Sequence, residues 1–267
     1  MVSFDAKRCH INEWVASSTG GKIQHLLSSG CLTENSALLI VGAIYFNGSW
    51  QSAFDKQDTE EAEFYRLDGS AISVQMMYLE EDFDYVDLPE MDARAIRLPF
   101  KEEKWAMLIV LPNRNDGLSF LISQLMCNSA LNSLLSTTFL PKRITLYLPR
   151  FKMKESVSNL KLALANLGMN RVFSSTECDL SGISPDRPLF VSDICHRAVL
   201  ESHLTNFSIQ IDERGARATA TTDLCVSDGI GDYFNECFKV DHPFFVALLS
   251  PNNTIAFMGH VTSPLYL

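Results

Sequence analysis

Thr19-Gly20-Gly21-Lys22 combines the flexible glycines and the cation that a phosphate-cradling loop needs. Ala16, however, stands where the first glycine of such a loop belongs, and Ile23 stands where a hydroxyl would meet a metal ion, so no phosphate site is read there. The run Glu80-Glu81-Asp82-Phe83-Asp84-Tyr85 offers oxygen ligands, but it lacks the glycine and terminal glutamate spacing of a calcium loop and reads as a solvated edge. Cys195-His196 sets two ligating and nucleophilic residue types side by side. Neighbours on a strand point to opposite faces, so they cannot chelate together, and His196 reads as a structural core histidine. The seven cysteines, at 9, 31, 127, 178, 195, 225 and 237, form no Cys-x-x-Cys pair, which suits free thiols rather than a disulfide framework or a zinc site. With no Gly-x-Ser-x-Gly elbow and no His-Glu-x-x-His helix, neither catalytic residues nor a metal or cofactor are expected.

One stretch remains with a chemical pattern, from Glu213 to about Ile230. At period 2, one face collects Ala216, Ala218, Ala220, Thr222, Leu224 and Val226, and the other carries Arg217, Thr219, Thr221, Asp223, Cys225 and Ser227. It holds no proline, its threonines favour extended backbone, and Gly215 supplies a pivot. Such a segment is either a polar surface loop with incidental alternation or a loop that can become a strand, its small face sliding under a sheet.

The elements around it are mostly strands. Ile11, Trp14 and Val15 predict one amphipathic helix that ends at the Ser-Ser-Thr-Gly-Gly breaker. Ala37 to Phe46 is a nearly unbroken apolar run and predicts a strand buried on both faces. Alternation from Phe54 to Met77 around Asp68-Gly69 predicts a hairpin, and Ala93–Phe100 and Trp105–Leu111 are further strands. Gly117 to Leu135 reads as a helix, as does Leu160 to Leu167 with Gly168 as its cap. Ile144–Leu148 and Leu189–Leu200 read as strands, and Phe244–Leu249 with Ile255–Val261 form a terminal hairpin about Pro251-Asn252-Asn253. Strands outnumber helices and short turns join them, so the class is α+β with largely antiparallel sheets.

Composition limits the function. The chain has 267 residues, 46% hydrophobic and 20% charged, enough for a sizeable core. A net charge of -10, with no clustered Lys and Arg, speaks against a nucleic-acid partner. No apolar run reaches about eighteen residues, so no membrane span is expected, and Met1 to His10 lacks the apolar core of a signal peptide. Sequons at Asn47, Asn206 and Asn252 tilt the expectation towards an extracellular protein, with the cytoplasm as the alternative, although Asn47 falls within a strand.

Short motifs along the whole chain then resemble one family. They are Ile11-Asn12-Glu13-Trp14-Val15, Ala43-Ile44-Tyr45-Phe46-Asn47-Gly48-Ser49-Trp50, Val74-Gln75-Met76-Met77 and Met107-Leu108-Ile109-Val110-Leu111-Pro112. Leu148-Pro149-Arg150-Phe151, Leu167-Gly168-Met169-Asn170, Asp179-Leu180-Ser181-Gly182, His196-Arg197-Ala198, Asp212-Glu213-Arg214-Gly215 and Asp241-His242-Pro243-Phe244 continue them in the family's order. The chain resembles a serpin, read as a single domain over 1–267 with a reactive-centre loop at about 213–240.

The resemblance implies a monomeric inhibitor that traps a serine, or sometimes cysteine, protease. Its loop is cut as bait and inserts into the main sheet, dragging the acylated protease with it. Glu213, Gly215, Ala216, Ala218, Ala220 and Thr222 match the hinge, and the family's loop length puts the scissile bond at Gly229-Ile230, within the span Asp228 to Asp232. Gly42, Trp50 and His196 match the region where the sheet opens, Gly42 replacing the asparagine that pairs with His196 in the family pattern. Arg217 replaces the common glutamate, and Ser202 to Gln210 reads as an insert that would bulge or break the strand before the hinge. Against a full serpin, the N-terminal helices and one or more strands are expected to be absent from this sequence, with part of the main sheet's support. A non-inhibitory serpin-like binding protein or an inactive remnant is therefore the second expectation.

Overall fold

The computed structural model describes residues 3–101, 104–127, 129–157, 160–184, 189–202 and 236–264. In chain order its elements are α1 (Phe4–Ser18), β1 (Leu38–Gly48), β2 (Glu60–Tyr65), β3 (Ala71–Leu88), β4 (Ala93–Pro99), β5 (Ala106–Pro112), α2 (Leu118–Leu125) and α3 (Ala130–Ser136). There follow β6 (Leu140–Pro149), β7 (Lys152–Val157), α4 (Leu160–Asn166), β8 (Val191–Ser202), β9 (Glu236–Lys239), β10 (Phe244–Leu249) and β11 (Ile255–Val261). They divide into two units, Met1–Asn47 with Met153–Glu201 and Gly48–Lys152 with Ser202–Leu267. The mixture of helices with mostly antiparallel strands is the α+β class the sequence predicts.

In the first unit, β1, β8 and β7 form a three-stranded sheet in that order. The Ser3 hydroxyl caps α1 by accepting from the Ala6 N–H at 3.1 Å. Thr19 ends the helix, its hydroxyl donating to the Val15 carbonyl at 2.8 Å, and Gly20 and Gly21 then turn the chain with φ of 58° and 78°. Asn12 is buried and pairs with the Leu27 backbone twice, which pins the following segment to the helix. The apolar face differs from the expected one: Val15 is buried but Trp14 is 59% exposed. Nor is β1 buried on both faces. Val41, Ala43 and Tyr45 pack on the Val15–Ile23 cluster, whereas Ile40, on the opposite face, is 45% exposed. A continuous apolar run cannot by itself say whether both faces are covered.

The second unit holds an eight-stranded sheet in the order β11-β10-β5-β4-β3-β6-β9, with β2 pairing β3. Among the described residues, only β6–β9 is parallel in this sheet. The β2–β3 hairpin turns at Gly69, whose φ is 79°. The acidic run lies inside β3: all of it pairs with β6, whereas only Asp84 and Tyr85 also pair with β4, so Glu80–Phe83 carry a ladder on one side alone. Asp82 and Asp84 face water while Phe83 and Tyr85 are buried, so alternation within a central strand produces the exposed acids. The helix expected over 117–135 is two helices, α2 and α3, parted around Ser129, which takes a left-handed φ of 70°. Leu121, Leu125 and Leu134 from this pair cover one face of β4, β5 and β10 through Ala93, Ala95, Leu108, Val110, Phe245 and Ala247. The opposite faces of the same strands bury Ile96, Ile109 and Val246.

Asp241 and His242 fasten one corner of this unit. Buried His242 meets the Asp241 carboxylate at 2.8 Å through Nδ1 and the Pro112 carbonyl at 2.8 Å through Nε2, while the Asp241 carbonyl accepts from the Tyr65 N–H. Burial pushes the Asp241 carboxyl up, but the hydrogen bond and charge of His242, with Lys239, outweigh it and hold the group below its ordinary value. A lowered folded pKa gives stability that is complete above the unfolded value near 4 and is lost as pH falls through the folded value. Asp241→Asn is therefore expected to cost about 2 kcal/mol at neutral pH. The gap from wild type should close as urea titrations move below about pH 4; a gap unchanged down the acid limb would contradict this account.

Candidate functional site

The three-stranded sheet places β1 directly beside β8, and the chain leaves β8 at Ser202 towards the alternating stretch. It re-enters the described structure at Glu236, the first residue of β9. Glu213, Gly215, Ala216, Ala218, Ala220, Thr222, Gly229 and Ile230 lie outside the described residues, as does the insert beyond Ser202. β8 itself continues through Ser202. The β1–β8 pair is fastened at its start by the Ala37 N–H, which donates to the Ser192 hydroxyl at 2.8 Å.

Gly42 and His196 are brought together. A Cβ at position 42 would stand 2.6 Å from the His196 Nδ1, closer than carbon and nitrogen can approach, so the imidazole lies against bare backbone. The absent side chain at 42 is what leaves room for the ring. Beside His196, burial above all, then Asp193 and Cys31, pushes the Cys195 thiol up to about 11. A thiol of that kind stays protonated at neutral pH and is not a nucleophile. Among the described residues, no three His, Cys, Asp or Glu side chains are placed to hold a metal ion.

Trp50 falls in the second unit. It is 3% exposed, stacks on Phe100 with ring centroids 4.4 Å apart and meets Phe54 edge-on at 6.2 Å. The Gln51 N–H donates to the Pro99 carbonyl and the Lys101 N–H to the Ser49 carbonyl, closing the strand bridge on which that stack sits. Sequence reasoning singled out none of Arg94, Lys142 and Glu236, which converge at the start of β9. Their ion pairs join residues 142 and 94 positions apart, a separation that leaves no local pattern. Of the sequons, Asn252 is exposed in the β10–β11 turn, Asn47 lies in β1, and Asn206 is outside the described residues.

A family model described as "Serpin (serine protease inhibitor)" matches residues 2–264. Human Serpin B3 is 34% identical over 261 residues, covering 97% of this chain and 64% of that protein. Human leukocyte elastase inhibitor is 33% identical over 272 residues, covering 98% of this chain and 68% of that protein. Among solved structures, uncleaved ovalbumin superposes with a TM-score of 0.77 at 30% identity, covering 97% of this chain and 63% of that one. Serpin48 of the insect Tenebrio molitor gives 0.77 at 30% identity, covering 98% and 66%. The chain thus spans slightly less than two thirds of the length of Serpin B3.

The Gly42–His196 contact generates a thermodynamic test. Gly42→Ala gains the usual advantage of alanine over glycine in a strand, about 0.5–1 kcal/mol, but must displace the ring at a cost of about 1–3 kcal/mol. The single change is expected to destabilise, and the same change in a His196→Ala background to stabilise. A Gly42→Ala effect of the same sign and size in both backgrounds would show that the ring is not what fills the space.

Proposed function

The chain belongs to the serpin family, and from that premise we propose that it inhibits a serine-type protease by covalent trapping. The observation that carries this reading is the small-residue alternation after Gly215. A strand entering between β1 and β8 buries every second side chain, and an unpaired buried charge there would cost several kcal/mol. Ala216, Ala218, Ala220 and Thr222 meet that demand, while Arg217 takes the opposite face. The single serpin domain of the inhibitory reading runs over 1–267, with its reactive-centre loop at about 213–240 and its hinge at Glu213 and Gly215. Gly229-Ile230 is the proposed scissile bond.

A glycine at that bond fits a protease with a small primary pocket, and several relatives carry the name leukocyte elastase inhibitor. An elastase-like serine protease is therefore the proposed partner, met by a monomer without a cofactor. Extracellular action is favoured by the sequons, of which Asn252 has the exposure that a glycan needs.

Incubation with an elastase-type protease is expected to give an SDS-stable adduct and a fragment cut near Gly229. Ala218→Asp should yield the cut fragment without the adduct. Cleavage of the wild type with no adduct and no rise in Tm would overturn the inhibitory reading in favour of a non-inhibitory protein. An adduct yield unchanged in Ala218→Asp would show that the inward face is misassigned.

A further inference from the structure

Beside the Trp50 stack, the second unit holds a cavity of about 200 Å³. Three pieces of chain wall it: the segment from Trp50 to Phe54, the Leu79–Phe83 stretch of β3, and Leu98 with Pro99 at the end of β4. The bridge between Trp50 and Phe100 fixes the first piece against the last. Phe54, Phe83 and Leu98, none more than 4% exposed, give the cavity apolar sides. Its volume lies below the roughly 300–1,000 Å³ of sites for drug-sized molecules, so a fitting ligand is small.

The polar groups are of two kinds. Trp50, 3% exposed, lines the cavity, and its indole N–H has no hydrogen-bond partner among the described residues. A buried donor in that state favours a ligand that brings an acceptor. Glu81 and Asp82 supply negative charge. Glu81 is held in place, since one carboxylate oxygen accepts from the Ser52 hydroxyl at 3.3 Å and the other from the Asp82 N–H at 3.1 Å. Arg143 reaches Glu81 at 3.7 Å but lies nearer Glu80, at 3.2 Å, and Asp82 pairs with no cation among the described residues. The single charge of Arg143 therefore does not neutralise the three carboxylates.

We propose that this cavity binds a small apolar amine that carries a carbonyl, as an α-amino amide does. The ammonium takes Glu81 and Asp82, the carbonyl accepts from the Trp50 indole N–H, and the side chain rests on Phe54, Phe83 and Leu98. Each demand excludes a class of ligand. A carboxylic acid is repelled by the two carboxylates, and a neutral hydrocarbon leaves both the charge and the indole N–H unmet. The proposal does not depend on the inhibitory reading above.

Leucine amide, whose about nine non-hydrogen atoms allow a Kd on the order of 1 mM, is the probe, used at about pH 6.5 so that its α-amino group is charged. Calorimetry on the full chain is expected to show saturable binding, with a shift in tryptophan emission as the Trp50 N–H gains an acceptor. N-acetyl-leucine amide, which lacks the ammonium, and leucine, which adds a carboxylate, are expected to bind at least about tenfold more weakly. Glu81→Gln combined with Asp82→Asn should weaken leucine amide about tenfold. Asp116→Asn, which removes an exposed carboxylate paired with Arg114, should leave the affinity unchanged. If the double variant has a lowered Tm, Asp82→Asn alone decides, because that side chain is exposed and a severalfold loss is expected of it. Equal binding of the N-acetyl compound, an affinity untouched by the carboxylate variants, or no saturation by about 20 mM would each overturn the proposal.

Discussion

The eight-stranded sheet depends on the double pairing of β3. Its eighteen residues extend about 60 Å, and among the described strands β3 carries the ladders that join the β11-β10-β5-β4 side to the β6-β9 side. Met76 to Tyr85 pair with β6, Asp84 to Leu88 pair with β4, and the first residues pair with β2. Because every residue of the strand sits in at least one ladder, successive side chains take opposite faces. Phe83 and Tyr85 go inward, so Asp82 and Asp84 must go out, and Glu80 and Glu81 meet Arg143 across the β6 register at 3.2 and 3.7 Å. The same parity aims Tyr85 at Phe238 and so ties the anchoring of β9 to the register of a strand in the middle of the sheet.

What was legible in the sequence was whatever the chain settles locally. Gly69, Gly168 and Asn253 end or turn elements with positive φ, and the sequence announces each one by residue type. Alternation around Asp68-Gly69 and in the terminal hairpin identifies strands, because a period of two has no helical counterpart. The misreadings share a different cause. Whether the Ala37–Phe46 run is covered on both faces and whether Trp14 is inside depend on what lies across space from each segment. The apolar seam of 117–135 likewise hides the left-handed step at Ser129, since a two-helix corner and a straight helix can bury the same leucines. Of the candidate site, residue types reveal the alternating stretch and the Gly42–His196 match, but not the Arg94–Glu236–Lys142 cluster, whose members come from β4, β9 and β6.

Gly42 and His196 bear on how a sheet can be closed and still able to open. Where β1 and β8 meet, a large interlocking pair would hold the strands together through many atoms at once. Here one side contributes bare backbone and the other an imidazole resting on it, a contact that parts without dragging a side chain through the gap. On the proposed mechanism, an entering strand replaces one ladder between β1 and β8 with two, each satisfying backbone groups that the loop would otherwise leave to water. The strand must fit beside a ring and a glycine in a slot that the closed sheet does not hold open. That geometry favours alanine over leucine at the inward positions nearest the hinge, and it gives Ala216, Ala218 and Ala220 a reason to be small that is separate from the avoidance of charge.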